Sequence, residues 1–333
     1  MRTRTAFAVS VLLPVVFLTA VTGRPATVAF STAAAQGERA RQLGDEGMAR
    51  LMNGDLDGAI AIFHQIQAED AASPLGYLLE ANALWWKIYY TTADLIDPDV
   101  FDAVSLRQTP YDSEFQTLIQ TAIHKAKSRI EQREDVARST LYEGMAYALL
   151  GRLDGLRSKD LATARDGKKM RSLLLTAIGL DNRLTDAYTG IGLYNYFVDT
   201  LPTIVKALRF LIGLPGGNRE LGIQQITLAA ARGELTRAEA KFYLAKNYTR
   251  SNENQFGKAL QLFEELSNQY PENPFWELMA ASVDMRLGHR KQGDALYRQV
   301  LSETANSDTL VNKAVHRAVV KALQRSHQQE KFE

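Results

Sequence analysis

The fold is decided by residues 240–274, which read AKFYLAKNYTRSNENQFGKALQLFEELSNQYPENP. Two small residues, Ala245 and Ala259, stand on either side of a polar segment, and an aromatic residue follows each of them, at Tyr248 and at Phe263. Small side chains allow two helices to approach closely, and aromatic rings fill the space beside such a contact. The spacing therefore predicts two antiparallel helices joined by a turn and ended by a proline.

The same positions match the signature of the tetratricopeptide repeat (TPR), in which W-x2-L-G-x2-Y is followed by A-x3-F and then by proline. Leu244, Ala245 and Tyr248 occupy the L, G and Y positions, and Lys241 stands in place of the tryptophan. The chain thus resembles the TPR superfamily. This resemblance implies an all-α fold, a right-handed superhelical solenoid of antiparallel helix pairs, in which partners bind along a concave groove.

Small residues of the same kind recur along most of the chain. Each unit has one on its first helix (helix A) and one on its second helix (helix B), as at Gly47 and Ala59 or at Gly192 and Gly222. A final helix is expected to cover the open end of the row, because a terminal repeat cannot leave its apolar face in water. The predicted organisation is a TPR-like region over 36–326, with units at 38–74, 75–135, 138–182, 185–234, 237–271 and 273–305, a capping helix at 308–326 and a flexible tail at 327–333.

The three central units are predicted to carry long insertions between helix A and helix B. In the second unit, for example, Ala81 and Ala122 stand much further apart than Gly47 and Ala59 do in the first. Because every turn from A to B lies along one edge of a TPR stack, the insertions are expected to project side by side as a crown. They are rich in apolar residues, which must be buried against something.

Two interpretations of these apolar segments stay open. Helices A and B are longer in the central units and pack on one another, or the crown encloses a groove or cavity for an apolar ligand, a partner helix or a membrane surface. The candidate partner or ligand surface combines aromatic residues of the central units with exposed polar neighbours of the A-helix positions, which are expected to line the concave groove. The candidates are Asn82, Trp85, Trp86, Tyr89, Tyr90, Asn195, Tyr196, Phe197 and Asn247.

Residues 1–35 are predicted to form a secretory signal peptide. Arg2 and Arg4 precede an apolar run from Ala6 to Val21, and an A-x-A pattern ends at Ala35. An uncleaved anchor helix is the alternative, although the run is shorter than the roughly 20 residues that a span needs. The protein is therefore expected to be exported, and to be periplasmic or associated with the outer membrane. Since the sequence has no cysteine, it is not expected to be a lipoprotein acylated on Cys.

Charge and motifs give no support to nucleic-acid binding or to catalysis. Lys and Arg number 39 against 38 Asp and Glu, so the charge is near neutral and no nucleic acid is expected as partner. The five histidines form no H-x-x-x-H pair, and neither a G-x-S-x-G elbow nor a complete phosphate-binding loop occurs. We therefore predict no catalytic residue, no metal and no cofactor.

These observations predict a non-enzymatic, exported TPR-like scaffold that binds a protein partner of the cell envelope through its concave groove and crown. The alternative is a carrier of a small apolar ligand, similar to the periplasmic TPR components associated with TRAP transporters. The sequence leaves open the identity of the partner and the oligomeric state.

Overall fold

The computed structural model describes residues 26–92, 94–96, 106–201 and 213–330, with side chains described from 35 to 326 within these ranges. This part of the chain is all helical and contains no strand, as the sequence predicts. The helices are α1 (Ala26–Met52), α2 (Leu56–Glu69), α3 (Leu75–Thr92), α4 (Asp112–Glu131), α5 (Val136–Leu156), α6 (Asp160–Leu180), α7 (Ala187–Thr200), α8 (Arg219–Arg232), α9 (Arg237–Thr249), α10 (Phe256–Gln269), α11 (Pro274–Leu287), α12 (Arg290–Thr304) and α13 (Leu310–Glu330).

Each helix packs against its neighbours in the chain, and the contact between α5 and α6 is the most extensive. Short connections fix this order, as at residues 157–159 between α5 and α6. The predicted small residues lie at such contacts. A Cβ added to Gly222 would meet the carbonyl oxygen of Gly192 at 2.7 Å, so α7 and α8 approach at a distance that a side chain would prevent. Phe263 of α10 is fully buried, as the spacing predicts.

The predicted crown is wrong for the third unit. No loop projects between its two helices; α5 and α6 are each 21 residues long and are joined by a short turn. The interpretation of longer, mutually packed helices therefore holds there. In the second and fourth units the corresponding connections include residues 97–105 and 202–212, which lie outside the described residues.

The predicted ends differ from the structure in one respect. Helix α13 begins close to the predicted capping helix but continues to Glu330, so most of the predicted flexible tail is helical. No glycine or proline follows residue 310 to stop it. At the other end, α1 runs through the predicted cleavage point at Ala35, and residues 1–25 lie outside the described residues. No helix among the described residues is long and apolar enough to cross a membrane.

The helices form an inner and an outer group. In α3, 14 of 18 residues are buried, and in α9, 11 of 13 are buried. By contrast, only three of 14 are buried in α10 and four of 15 in α12. A helix that faces water buries one stripe of its surface, whereas a helix surrounded by protein is buried on every face. Most residues are buried in α3, α7, α9 and α11, which we call the inner helices.

An aromatic cluster joins inner helices that are far apart in sequence. The rings of Trp86 and Phe242 lie 5.4 Å apart, those of Trp86 and Trp276 lie 6.2 Å apart, and those of Tyr90 and Phe275 lie 5.5 Å apart. Most of these pairs meet edge to face or tilted, which aromatic rings favour. The cluster thus links α3 of the second predicted unit to α9 and α11 of the fifth and sixth.

Hydrogen bonds close the same contact at the end of α1. The carbonyl oxygen of Met52 accepts from Trp276 Nε1 at 2.9 Å and from Asn273 Nδ2 at 2.8 Å. The backbone N–H of Glu272 donates to Asn53 Oδ1 at 3.1 Å. These bonds satisfy a helix carbonyl that would otherwise lack a partner. The row of described helices therefore curves until α1 meets α11.

Candidate functional site

A partly open cavity of about 870 Å³ lies between α3, α5, α6, α7 and α9. Its walls are mainly apolar. Exposed residues at the turn between α5 and α6 also border it, among them Leu161, which is 71% exposed. The cavity is therefore open near this turn. Its apolar wall includes Leu79, Leu149, Leu174, Leu193, Phe197 and Leu214.

Small residues line the cavity on two of its helices. Ala148, Gly151 and Gly155 follow one another at helical spacing on α5, and Ala164 and Gly167 do so on α6. A Cβ added to Gly167 would be in ordinary contact with a Tyr194 ring atom at 3.8 Å and would meet no other atom more closely. The helices around the cavity are held by other contacts, and the missing side-chain volume remains as empty space.

A polar group lies within this apolar wall, at Asn82 of α3, Arg152 of α5 and Glu239 of α9. Glu239 Oε1 accepts from Trp86 Nε1 at 3.0 Å and lies 3.5 Å from Arg152 Nη1. The Arg152 guanidinium also lies 4.8 Å from the centre of the Tyr243 ring. Burial disfavours its charged form, but Tyr243 and Glu239 raise the pKa of Arg152 above its ordinary value. The cavity thus contains a buried ion pair.

A second set of polar residues in the wall is satisfied internally. Asp186 Oδ1 accepts from the backbone N–H groups of Leu235 and Thr236 and from Thr236 Oγ1, at 2.9 to 3.0 Å. Thr189 Oγ1 lies 2.8 Å from Thr236 Oγ1. Burial raises the pKa of Asp186 in spite of these bonds. Because the carboxylate binds free N–H groups before α9, we assign it to holding that helix in place.

Only two of the predicted candidate residues, Asn82 and Phe197, line the cavity. The aromatic candidates Trp85, Trp86, Tyr89 and Tyr90 are buried in the core. The others lie in helix contacts: Asn195 donates to Gln225, Tyr196 contacts Asn252, and Asn247 is 2% exposed. The three asparagines, predicted as exposed groove residues, are thus buried.

Sequence reasoning missed Arg152, Glu239 and Gly167. Arg152 gave one signal, since it is a charged residue directly after the apolar and small residues at 144–151. Glu239 gave none, because Lys241 and Lys246 are charged residues of the same helix. Within the described ranges, no group of three or more His, Asp or Glu side chains is placed to hold a metal ion. The arrangement can bind a molecule by burying its apolar surface and by bonding to a few polar atoms.

Comparison with known proteins adds no assignment: no protein-family profile matches the chain, and no curated protein sequence is significantly similar to it.

Proposed function

We propose that this protein is an exported, non-enzymatic, TPR-like carrier that binds a small, mainly apolar ligand in its central cavity. The observation that carries the proposal is the cavity itself, about 870 Å³ and walled mostly by apolar side chains. Ligand pockets are typically about 300–1,000 Å³ and combine an apolar lining with a few polar groups. The arrangement around Arg152 and Glu239 fits that description.

Burial of the ligand supplies the affinity. Apolar surface removed from water contributes roughly 25 cal/mol per Å². Leu174, Leu193 and Phe197 provide such contacts from α6 and α7. The border of the cavity at Leu161, an exposed apolar residue, gives an apolar molecule a place of entry.

The TPR-like architecture and export are part of this proposal and rest on the sequence pattern. The alternative of a protein partner along the groove of the A helices has less support. In α9, which carries the best-matching A-helix positions, nearly every residue is buried by the protein itself. A peptide would have to displace the helices that already cover it.

Filling the cavity is expected to abolish binding. We predict that Gly167→Phe lowers the affinity for the neutral apolar dye Nile red by at least about tenfold, because the ring occupies volume that the dye needs. The Cβ of the new residue would be in ordinary contact with Tyr194 at 3.8 Å, so the variant is expected to fold. A fluorescence titration measures the affinity.

Gly179→Phe is the matched control. Gly179 lies on the same helix, and an added Cβ would meet nothing within 4 Å. It does not line the cavity. This variant should bind Nile red as the wild type does. Equal affinities of all three proteins, with unchanged circular dichroism, would remove the cavity as the binding site.

A further inference from the structure

We propose that the polar group of the cavity selects ligands with a neutral hydroxyl head group, such as long-chain alcohols, over carboxylates and over molecules that cannot donate a hydrogen bond. The inference rests on the proposed function. It depends on the charge balance between Arg152 and Glu239 and on the hydrogen-bonding groups of Arg152 and Asn82 that have no partner among the described residues.

Charge at this place is already balanced. Arg152 and Glu239 form a pair whose side chains are 10% and 3% exposed. An anionic head group would bring a third charge beside Glu239, and an ammonium group would bring one beside Arg152. Either would lose most of its hydration on entering the apolar cavity. A neutral head group avoids this desolvation.

Arg152 retains capacity to donate. A guanidinium has five N–H donors, and among the described residues Arg152 has one hydrogen bond, the contact of 3.5 Å with Glu239. Because Arg152 lines the cavity, a ligand oxygen can accept from it. This requirement is met by a hydroxyl, an ether or a carboxylate.

Asn82, by contrast, has an acceptor atom that lacks a hydrogen-bond donor. It is 6% exposed and lines the cavity, and its Oδ1 accepts no hydrogen bond from any described residue. Its Nδ2 contacts only the sulfur of Met48, at 3.7 Å, and a thioether is a weak acceptor. A turn of the amide that brings its oxygen toward a ligand would therefore break no strong hydrogen bond. A buried carbonyl without a donor is costly, so a ligand that donates is favoured.

Arg152 and Asn82 line the same cavity, and Trp86 and Glu239 connect their helices. Asn82 is four residues before Trp86 on α3, so the two side chains share a face of the helix. Trp86 Nε1 in turn donates to Glu239, the partner of Arg152. A hydroxyl both donates and accepts, and it is neutral. A carboxylate and an ether cannot donate to Asn82.

The test compares three probes of similar length by their displacement of Nile red: 1-decanol, decyl methyl ether and decanoate. In the wild-type protein, 1-decanol should bind at least about tenfold more tightly than either of the others. In Asn82→Leu, which has similar volume and no acceptor, the preference for decanol over the ether should fall to less than about threefold, with the ether's own affinity unchanged.

Asn247→Leu is the control. Asn247 is also buried, and one atom of its amide, Nδ2, lacks a partner among the described residues. Unlike Asn82, it does not line the cavity. It should keep the wild-type preference. If decanoate binds most tightly, or if decanol and the ether bind equally to the wild type, the head-group proposal is overturned while the carrier function stands. If no probe displaces the dye, both fail. The comparison of the three probes in the wild-type protein tests the head-group proposal even if Asn82→Leu does not fold.

Discussion

Trp276→Ala is expected to lower the free energy of unfolding by about 4–6 kcal/mol. Removal of a fully buried tryptophan ring costs about 3–5 kcal/mol, and loss of its hydrogen bond adds about 1. Trp276 is 0% exposed, packs against Trp86 and Phe275, and donates to the carbonyl of Met52. Urea unfolding followed by circular dichroism measures the change.

Trp276→Phe separates the two contributions. It keeps an aromatic ring in the cluster but cannot donate to Met52, so it should cost less than the alanine variant. Hydrogen exchange provides the decisive readout. Because Trp276 of α11 bonds to the end of α1, Trp276→Ala should increase exchange in both helices. Faster exchange confined to α11 would show that this contact does not couple the two.

The second large effect is expected at Asp112. Its carboxylate accepts bidentate hydrogen bonds from the Arg157 guanidinium, at 2.8 to 3.0 Å. It also accepts hydrogen bonds from the backbone N–H and the hydroxyl of Thr109. The Arg157 side chain is only 6% exposed. Asp112→Asn removes a buried carboxylate that pairs with this guanidinium, and breaking such a buried ion pair costs about 3–5 kcal/mol. Thermal and urea unfolding at pH 7 measure the loss.

The same pair predicts a pH dependence. Burial alone would raise the pKa of Asp112, but hydrogen bonds from Thr109 and Arg157 outweigh it and lower the pKa below its ordinary value. A carboxyl whose pKa is lower in the folded state stabilises the protein above its unfolded pKa, about 3.9, and this stabilisation is lost as pH falls through the folded value. The difference in stability between wild type and Asp112→Asn should therefore shrink below about pH 4.

Asp181→Asn is the control for both measurements. Asp181 also accepts two bonds from an arginine, Arg183. This pair lies at the surface, with Arg183 85% exposed, and surface ion pairs contribute little. Asp181→Asn should leave the unfolding midpoint at pH 7 nearly unchanged. A loss as large as that of Asp112→Asn would contradict our account of burial.

Local spacing was enough to predict the helices and several of their contacts. Gly192 and Gly222 meet where two helices approach most closely, and Phe263 is buried beside such a contact. The pattern could not reveal how far the row curves, because that depends on small rotations summed over many helix pairs. The contact between Met52 and Trp276 was therefore not predicted.

The candidate site was predicted less well, because the apolar pattern of α3 was interpreted as a surface and not as a buried helix. Helix α3 has apolar residues on every face, which indicates a helix buried all round rather than an apolar surface. Trp85 and Tyr89 accordingly lie in the core. The cavity is lined by small residues, at Gly167 and on the neighbouring helix α5. Space left by small side chains cannot be recognised from the sequence until the helices are placed together.

The bond between Met52 and Trp276 also restricts how such a chain can change during evolution. Arrays in which each unit contacts only its neighbours lengthen or shorten by whole units. Here, insertion or deletion of one helix pair would displace Trp276 by roughly 10 Å, the spacing between packed helices, and the carbonyl of Met52 would lose its donor. Descendants of this sequence should therefore differ in the lengths of their loops and keep the number of helices between these two residues constant.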